Sequence, residues 1–198
     1  MMKSSEIRAK ARVSLGGKIF ATAWLLALVV AFIDGMASTT LGAIPVIGFA
    51  AVIILWGPIK MGIMPYFLKL ARDEKPSFAV IIDGFKNDFK GNMLLGIMEQ
   101  LFITLWTLLF IIPGIVKSYS YALCYYIKAD HPEYGWKECI DESRRMMKGN
   151  KWRLFCLDFS FIGWQIVGML CFGLGGYFVD PYMMTARAHF YEELKAND

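Results

Sequence analysis

The stretch Met93 to Ile127, MLLGIMEQLFITLWTLLFIIPGIVKSYSYALCYYI, decides the fold. It is apolar almost throughout and longer than the roughly 20 residues an α-helix needs to cross a bilayer. Pro113-Gly114 interrupts it. Proline disfavours a helical residue before it, and glycine permits a tight reversal. The spacing therefore predicts that Met93 to Ile112 crosses a membrane and that Ile115 to Ile127 returns.

Other apolar stretches run from Ile19 to Ile33, from Leu41 through Ile59 to Leu70, and from Leu154 to Val179. Glycines at 173, 175 and 176, with Pro181 beyond, divide the last into Leu154 to about Phe172 and about Phe178 to Tyr191. The second span, 41–70, carries Pro45, Pro58 and Pro65 and leaves room for a re-entrant or interfacial piece. Of 198 residues, 57% are hydrophobic and 19% charged, too little polar surface for a soluble domain of this size. Six spans of ~20 residues accommodate the excess. This balance excludes a disordered chain, a disulfide-stapled secreted module and a two-domain soluble enzyme.

Charge gives an independent count of spans. Of the 21 Lys and Arg residues, all but Lys60 and Lys117 fall before the first span, between spans two and three, between four and five, or at the chain end. Cationic loops stay in the cytoplasm, so both termini are expected inside. The apolar run near the N-terminus reads as a retained first span rather than a cleaved signal.

The chain also repeats itself. Asp83 to Lys90-Gly91-Asn92 matches Asp141 to Lys148-Gly149-Asn150. Leu70-Ala71-Arg72-Asp73 is echoed by Lys128-Ala129-Asp130 and by Leu194-Lys195-Ala196-Asn197-Asp198. Between spans, Phe78, Ile81, Ile82, Phe85 and Phe89 keep a helical period opposite Asp83, Lys86, Asn87 and Lys90. Trp136, Ile140 and Met147 repeat the pattern, and Ile7, Ala11 and Leu15 follow it weakly. Such helices are expected on the inner membrane surface. The expected fold is all-α: a polytopic helical membrane protein forming one integral domain over 1–198. Its six transmembrane helices form three hairpin repeats, units 4–73, 77–130 and 133–198, joined by cytoplasmic amphipathic linker helices.

Four motifs carry a resemblance: Ile112-Pro113-Gly114-Ile115-Val116-Lys117 with Tyr119 and Tyr121; Ser143 with Met146-Met147-Lys148-Gly149; Ser160-Phe161-Ile162-Gly163-Trp164; and Pro181-Tyr182 with Phe190-Tyr191. The chain resembles, over nearly its whole length, a family of uncharacterised bacterial multi-pass membrane proteins catalogued as domain of unknown function 975. The resemblance implies a bacterial cytoplasmic (plasma) membrane protein and brings no catalytic residue with it.

Ionisable groups at membrane depth are costly and point to function or to structural pairing. Glu99 and Asp158 fall at similar places in their repeats, Lys60 and Lys117 occupy matching places, and Arg187 lies in the last span. Carboxylates on odd spans and cations on even spans are expected to pair across hairpins. They line a polar pathway if the protein moves a solute. Lys137, Arg144, Arg145, Lys148, Lys151 and Arg153 form a basic run suited to anionic lipid, although ordinary positive-inside bias also accounts for it. Ala23, Ala27 and Ala31, with Gly163 and Gly168, suggest close helix packing.

Enzymatic signals are lacking. His131 and His189, the two histidines, have no Cys or carboxylate at metal-ligand spacing, and no phosphate loop or nucleophile elbow occurs. Cys124, Cys139, Cys156 and Cys171 lack disulfide spacing. Membrane topology explains the net charge of +4, so nucleic acid is not an expected partner. The expected function is non-enzymatic and cofactor-free: an accessory or structural role through the lipid bilayer or a cytoplasmic or membrane protein partner. The alternative is a small-solute or ion transporter or channel using Glu99 and Asp158.

Overall fold

A computed structural model describes residues 2–16, 27–30, 47–74, 79–170 and 174–197, and these are helical with no strand. The labelled helices are α1 (Ser4–Ser14), α2 (Ile47–Ala71), α3 (Ala79–Lys86), α4 (Phe89–Leu109) and α5 (Ile111–Tyr121), followed by α6 (Cys124–Asp130), α7 (Trp136–Met146), α8 (Lys151–Leu170) and α9 (Leu174–Ala196). Most of the expected first span, the start of the second and the break at 171–173 lie outside the described residues. Among the described residues one helix, α4, is both long and apolar enough to cross a membrane.

The return after α4 begins earlier than spacing suggested. Phe110 takes the extended conformation that reverses the chain, and Pro113 is the third residue of α5. In the first turn of a helix an N–H has no intrahelical acceptor, so proline loses nothing there. Gly114 lies against Thr107, where a Cβ would overlap the threonine hydroxyl, so the hairpin closes on glycine. The returning arm is also two helices rather than one. Ser143 of α7 bridges the break, accepting a hydrogen bond from the Leu123 N–H (3.2 Å) and donating to the Ser120 carbonyl (2.9 Å). A side chain inserted into the i→i−4 ladder is a known cause of such breaks.

From Ile47 the segment expected as the second span is one continuous helix through Pro58 and Pro65, which removes the re-entrant piece over 47–70. Small residues set its crossings. A Cβ on Gly57 would overlap the Asn92 carbonyl, and one on Gly62 the Ile81 carbonyl, so α4 and α3 both approach the α2 backbone directly. Val80 and Gly84 are buried, while Ile82 and Phe85 point outward at 53% and 39% exposure. Among the described residues, a Cβ on Gly163, expected at a packing seam, would meet nothing within 4 Å.

In both copies of the Asp-to-Asn repeat the asparagine closes a linker helix. Asn92 Nδ2 donates to the Gly84 and Asn87 carbonyls (3.0 and 2.9 Å), and Asn150 Nδ2 to the Met146 carbonyl (3.0 Å). The left-handed residue differs: Asp88 (φ 49°) in the first copy and Gly149 (φ 85°) in the second. The linker α7 buries Cys139, Ile140, Ser143 and Met146 on one side, and Trp136 meets Phe102 of α4. Its apolar face is thus spent on the protein. At the N-terminus, Ile7, Ala11 and Leu15 are buried along α1. That helix crosses α9 through Ser14–His189 (2.9 Å) and Tyr182 to the Arg8 carbonyl (2.8 Å). The core gathers where Tyr126 of α6 stacks on Tyr191 of α9, with Tyr66 and Phe67 of α2 also buried.

Candidate functional site

Asp158 of α8 and Arg187 of α9 form a two-point ion pair, Nη2–Oδ2 2.7 Å and Nε–Oδ1 3.0 Å. This is the pairing across a hairpin that the charge pattern suggested. Glu99 behaves differently: it accepts a hydrogen bond of 2.6 Å from the Tyr125 hydroxyl of α6. Both lysines sit over indoles, Lys60 at 4.8 Å from the Trp56 ring centre and Lys117 at 4.5 Å from that of Trp106. A cation over an indole face gains electrostatic attraction, and the Lys60 charge also acts on Glu99.

Lys117 also meets the linker after its helix. It shares a cleft of about 340 Å³ with Arg144, Arg145, Lys148 and Lys151 of the linker and with Asp141. The physical reason is length. An 11-residue α5 rises only ~16 Å, and α7 packs beside it. The basic run therefore divides. Arg144, Arg145, Lys148 and Lys151 face the cleft, Lys137 is exposed elsewhere, and Arg153 is held by Glu193 (2.8 Å) and the Met2 carbonyl (2.9 Å).

A second polar cluster was not foreseen. Asp130 accepts from Arg72 (2.7 Å), Lys195 (2.6 Å) and the Tyr191 hydroxyl (2.9 Å), while Arg72 also reaches Glu192 at 2.7 Å. Burial pushes the Asp130 carboxyl up, but the three donors outweigh it and hold the group below the usual carboxylate range. Nearby, Lys128 is buried and satisfied by Asp88, the Pro132 carbonyl and the Tyr134 carbonyl, each at 2.8 Å. The Lys128 hydrogen bond and the Gly91 N–H lower the Asp88 carboxyl. The signal was present in the sequence. Arg72, Asp130 and Lys195 come from the three echoed endings, but echo alone does not say that the endings touch.

Among the described residues the histidines and cysteines are hydrogen-bonded or buried, apart from the half-buried free thiol of Cys156. Among the described residues, no three His, Cys, Asp or Glu side chains come together as a metal site would require. His131 stacks on Tyr134 and bonds Glu133 at 3.1 Å. Cys124 and Cys139 are buried, and burial pushes the Cys139 thiol up to about 11, which leaves it protonated at neutral pH.

The sequence matches the family described as "Protein of unknown function (DUF975)" over residues 1–120 and 108–198. No curated protein and no solved structure matches it.

Proposed function

This chain belongs to the DUF975 family of proteins of unknown function, and on that premise we propose that it is a non-enzymatic integral membrane protein with an accessory or structural role. It crosses the bacterial cytoplasmic membrane six times in three hairpins, with both termini and the linkers inside. One observation carries the membrane assignment: every residue from Thr104 to Ile112 is exposed, with Leu108 at 84% and Ile112 at 75%. In water so continuous an apolar tip is unfavourable. In lipid it costs nothing. Exposed Phe159, Trp164 and Ile166 on α8 extend the apolar surface to a second hairpin.

The polar groups favour structure over transport. Asp158 is closed by Arg187 on two bonds, and Glu99 by a phenol, so neither carboxylate stands ready to exchange with a passing ion. The test has two parts. The protein should stay with membranes through an alkaline carbonate wash, and reconstituted liposomes should show the proton and cation flux of protein-free ones. Flux that is lost in Glu99→Gln or Asp158→Asn would establish the transporter instead.

A further inference from the structure

We propose that the cleft between α5, α7 and the start of α8 binds a phosphoryl group, presented by the headgroup of an anionic phospholipid. The proposal rests on the membrane assignment above and adds a specific ligand and site to it. Five cations face the cleft, Lys117, Arg144, Arg145, Lys148 and Lys151, against one carboxylate, Asp141. Two of the cations are offset within their own helix: Arg144 lies 3.1 Å from Asp141, and Arg145 2.6 Å from Glu142. Three lysines remain, Lys117 on α5, Lys148 in the turn after α7 and Lys151 at the start of α8, all lining the one cavity.

Like charges held together in this way repel unless an anion joins them. A compact, multiply charged oxyanion suits several ammonium groups converging from different directions better than a single carboxylate does. A cavity of about 340 Å³ is at the lower end of the range for small-ligand sites, enough for a phosphoryl group and part of a glycerol.

The neighbouring surface identifies the source as lipid. Ile115 and Val116, just before Lys117, are 50% and 44% exposed, and Trp152, just after Lys151, is 71% exposed. Trp152 continues into an aromatic row by stacking on Phe155 at 5.1 Å, and Phe155 on Phe159 at 6.0 Å. Cations with apolar and aromatic side chains beside them match an amphiphile whose head is anionic and whose tails are hydrocarbon. Soluble phosphate would use the lysines and leave the apolar side chains without a role.

The experiment reconstitutes the full chain in vesicles of phosphatidic acid and phosphatidylcholine, repurifies it in detergent and counts the lipid that stays bound. Lys148→Gln/Lys151→Gln is compared with Lys86→Gln/Lys137→Gln, which removes equal charge from exposed positions away from the cleft. Loss of two cations is expected to lower phosphatidic acid retention about thirtyfold, with the control within about twofold of the parent on the same scale. Equal losses in the two variants, or no loss in either, would overturn the site. Inorganic phosphate is the second arm. Failure to displace the lipid supports a headgroup site, while displacement at equal phosphate concentration assigns the cleft to soluble phosphate and overturns the lipid source. A carbonate wash of each variant separates the two claims: cleft variants that remain integral but lose lipid selectivity support the site, and a parent chain that washes off contradicts the membrane assignment itself.

Discussion

Arg72 and Asp130 meet at 2.7 Å although they stand 58 residues apart in the chain. They belong to segments that read alike, Leu70-Ala71-Arg72-Asp73 and Lys128-Ala129-Asp130, and Lys195 from a third such segment joins them at 2.6 Å. The three segments that read alike are thus tied at one carboxylate. Asp130 is 7% exposed as a side chain, so its charge is compensated by these partners rather than by water.

Asp130→Asn should lower the stability of the purified protein by about 1–3 kcal/mol, because a largely buried acceptor of three bonds loses its charge while two cations keep theirs. The partial exposure of Arg72 (29%) and Lys195 (47%) keeps the loss below that of a fully buried pair. Thermal unfolding in detergent reads the effect. An unchanged midpoint would mean that the network contributes nothing.

Acid should act through the same group. Asp130 is depressed in the folded chain, so its contribution is complete above the unfolded carboxyl value of ~3.9 and is lost as pH falls through its lower folded value. Asp88, also depressed, acts in the same direction. Unfolding midpoints measured downward from pH 6 should hold to ~pH 4 and then fall. In Asp130→Asn the fall should be shallower, and a curve parallel to the parent would contradict the assignment.

Asp158 and Arg187 provide a double-mutant test. Arg187→Gln strands Asp158, 13% exposed as a side chain, and should cost about 3 kcal/mol; Asp158→Asn strands Arg187, 35% exposed, and should cost less because solvent screens it. The double variant should cost less than the sum, with a coupling of at least about 1 kcal/mol. Additive losses would show that the two groups act separately despite their two-point contact.

Much of the architecture could be read from the sequence because it rests on composition and period. The α4–α5 hairpin, the amphipathic α7 and the stripe Ile7, Ala11 and Leu15 all follow from the spacing of apolar residues. What escaped detection depends on contacts between distant segments. Pro113 looked like a turn residue, yet its cost vanishes in a first helical turn, which moved the reversal to Phe110. Gly57 and Gly62 gave no periodic signal, although they fix two helix crossings, whereas the better-placed Gly163 meets none of the other described residues. The sites divided in the same way. The Asp158–Arg187 pair was visible from hairpin register, but the gathering of Lys117 with the linker cations and the junction at Asp130 exist only once the helices have packed.

The glycines make this difference measurable. Gly57→Val would press a branched side chain into the backbone of α4 and should destabilise the fold by at least about 3 kcal/mol. Gly163→Ala, in the exposed middle of α8, should stabilise it by roughly 0.5–1 kcal/mol through helix propensity. Chemical denaturation of the two variants checks both signs, and equal effects would refute the α2–α4 crossing.

The central claim is a lipid-embedded chain whose linkers share one side of the membrane, and labelling by a membrane-impermeant maleimide tests it most directly. Lys137→Cys places a thiol on the exposed face of α7, and Ser38→Cys places one in the segment expected outside. Above the background of the parent chain, Lys137→Cys should label only in inside-out vesicles and Ser38→Cys only in intact cells. Labelling of Lys137→Cys from outside intact cells, or of both positions from the same side, would contradict the account.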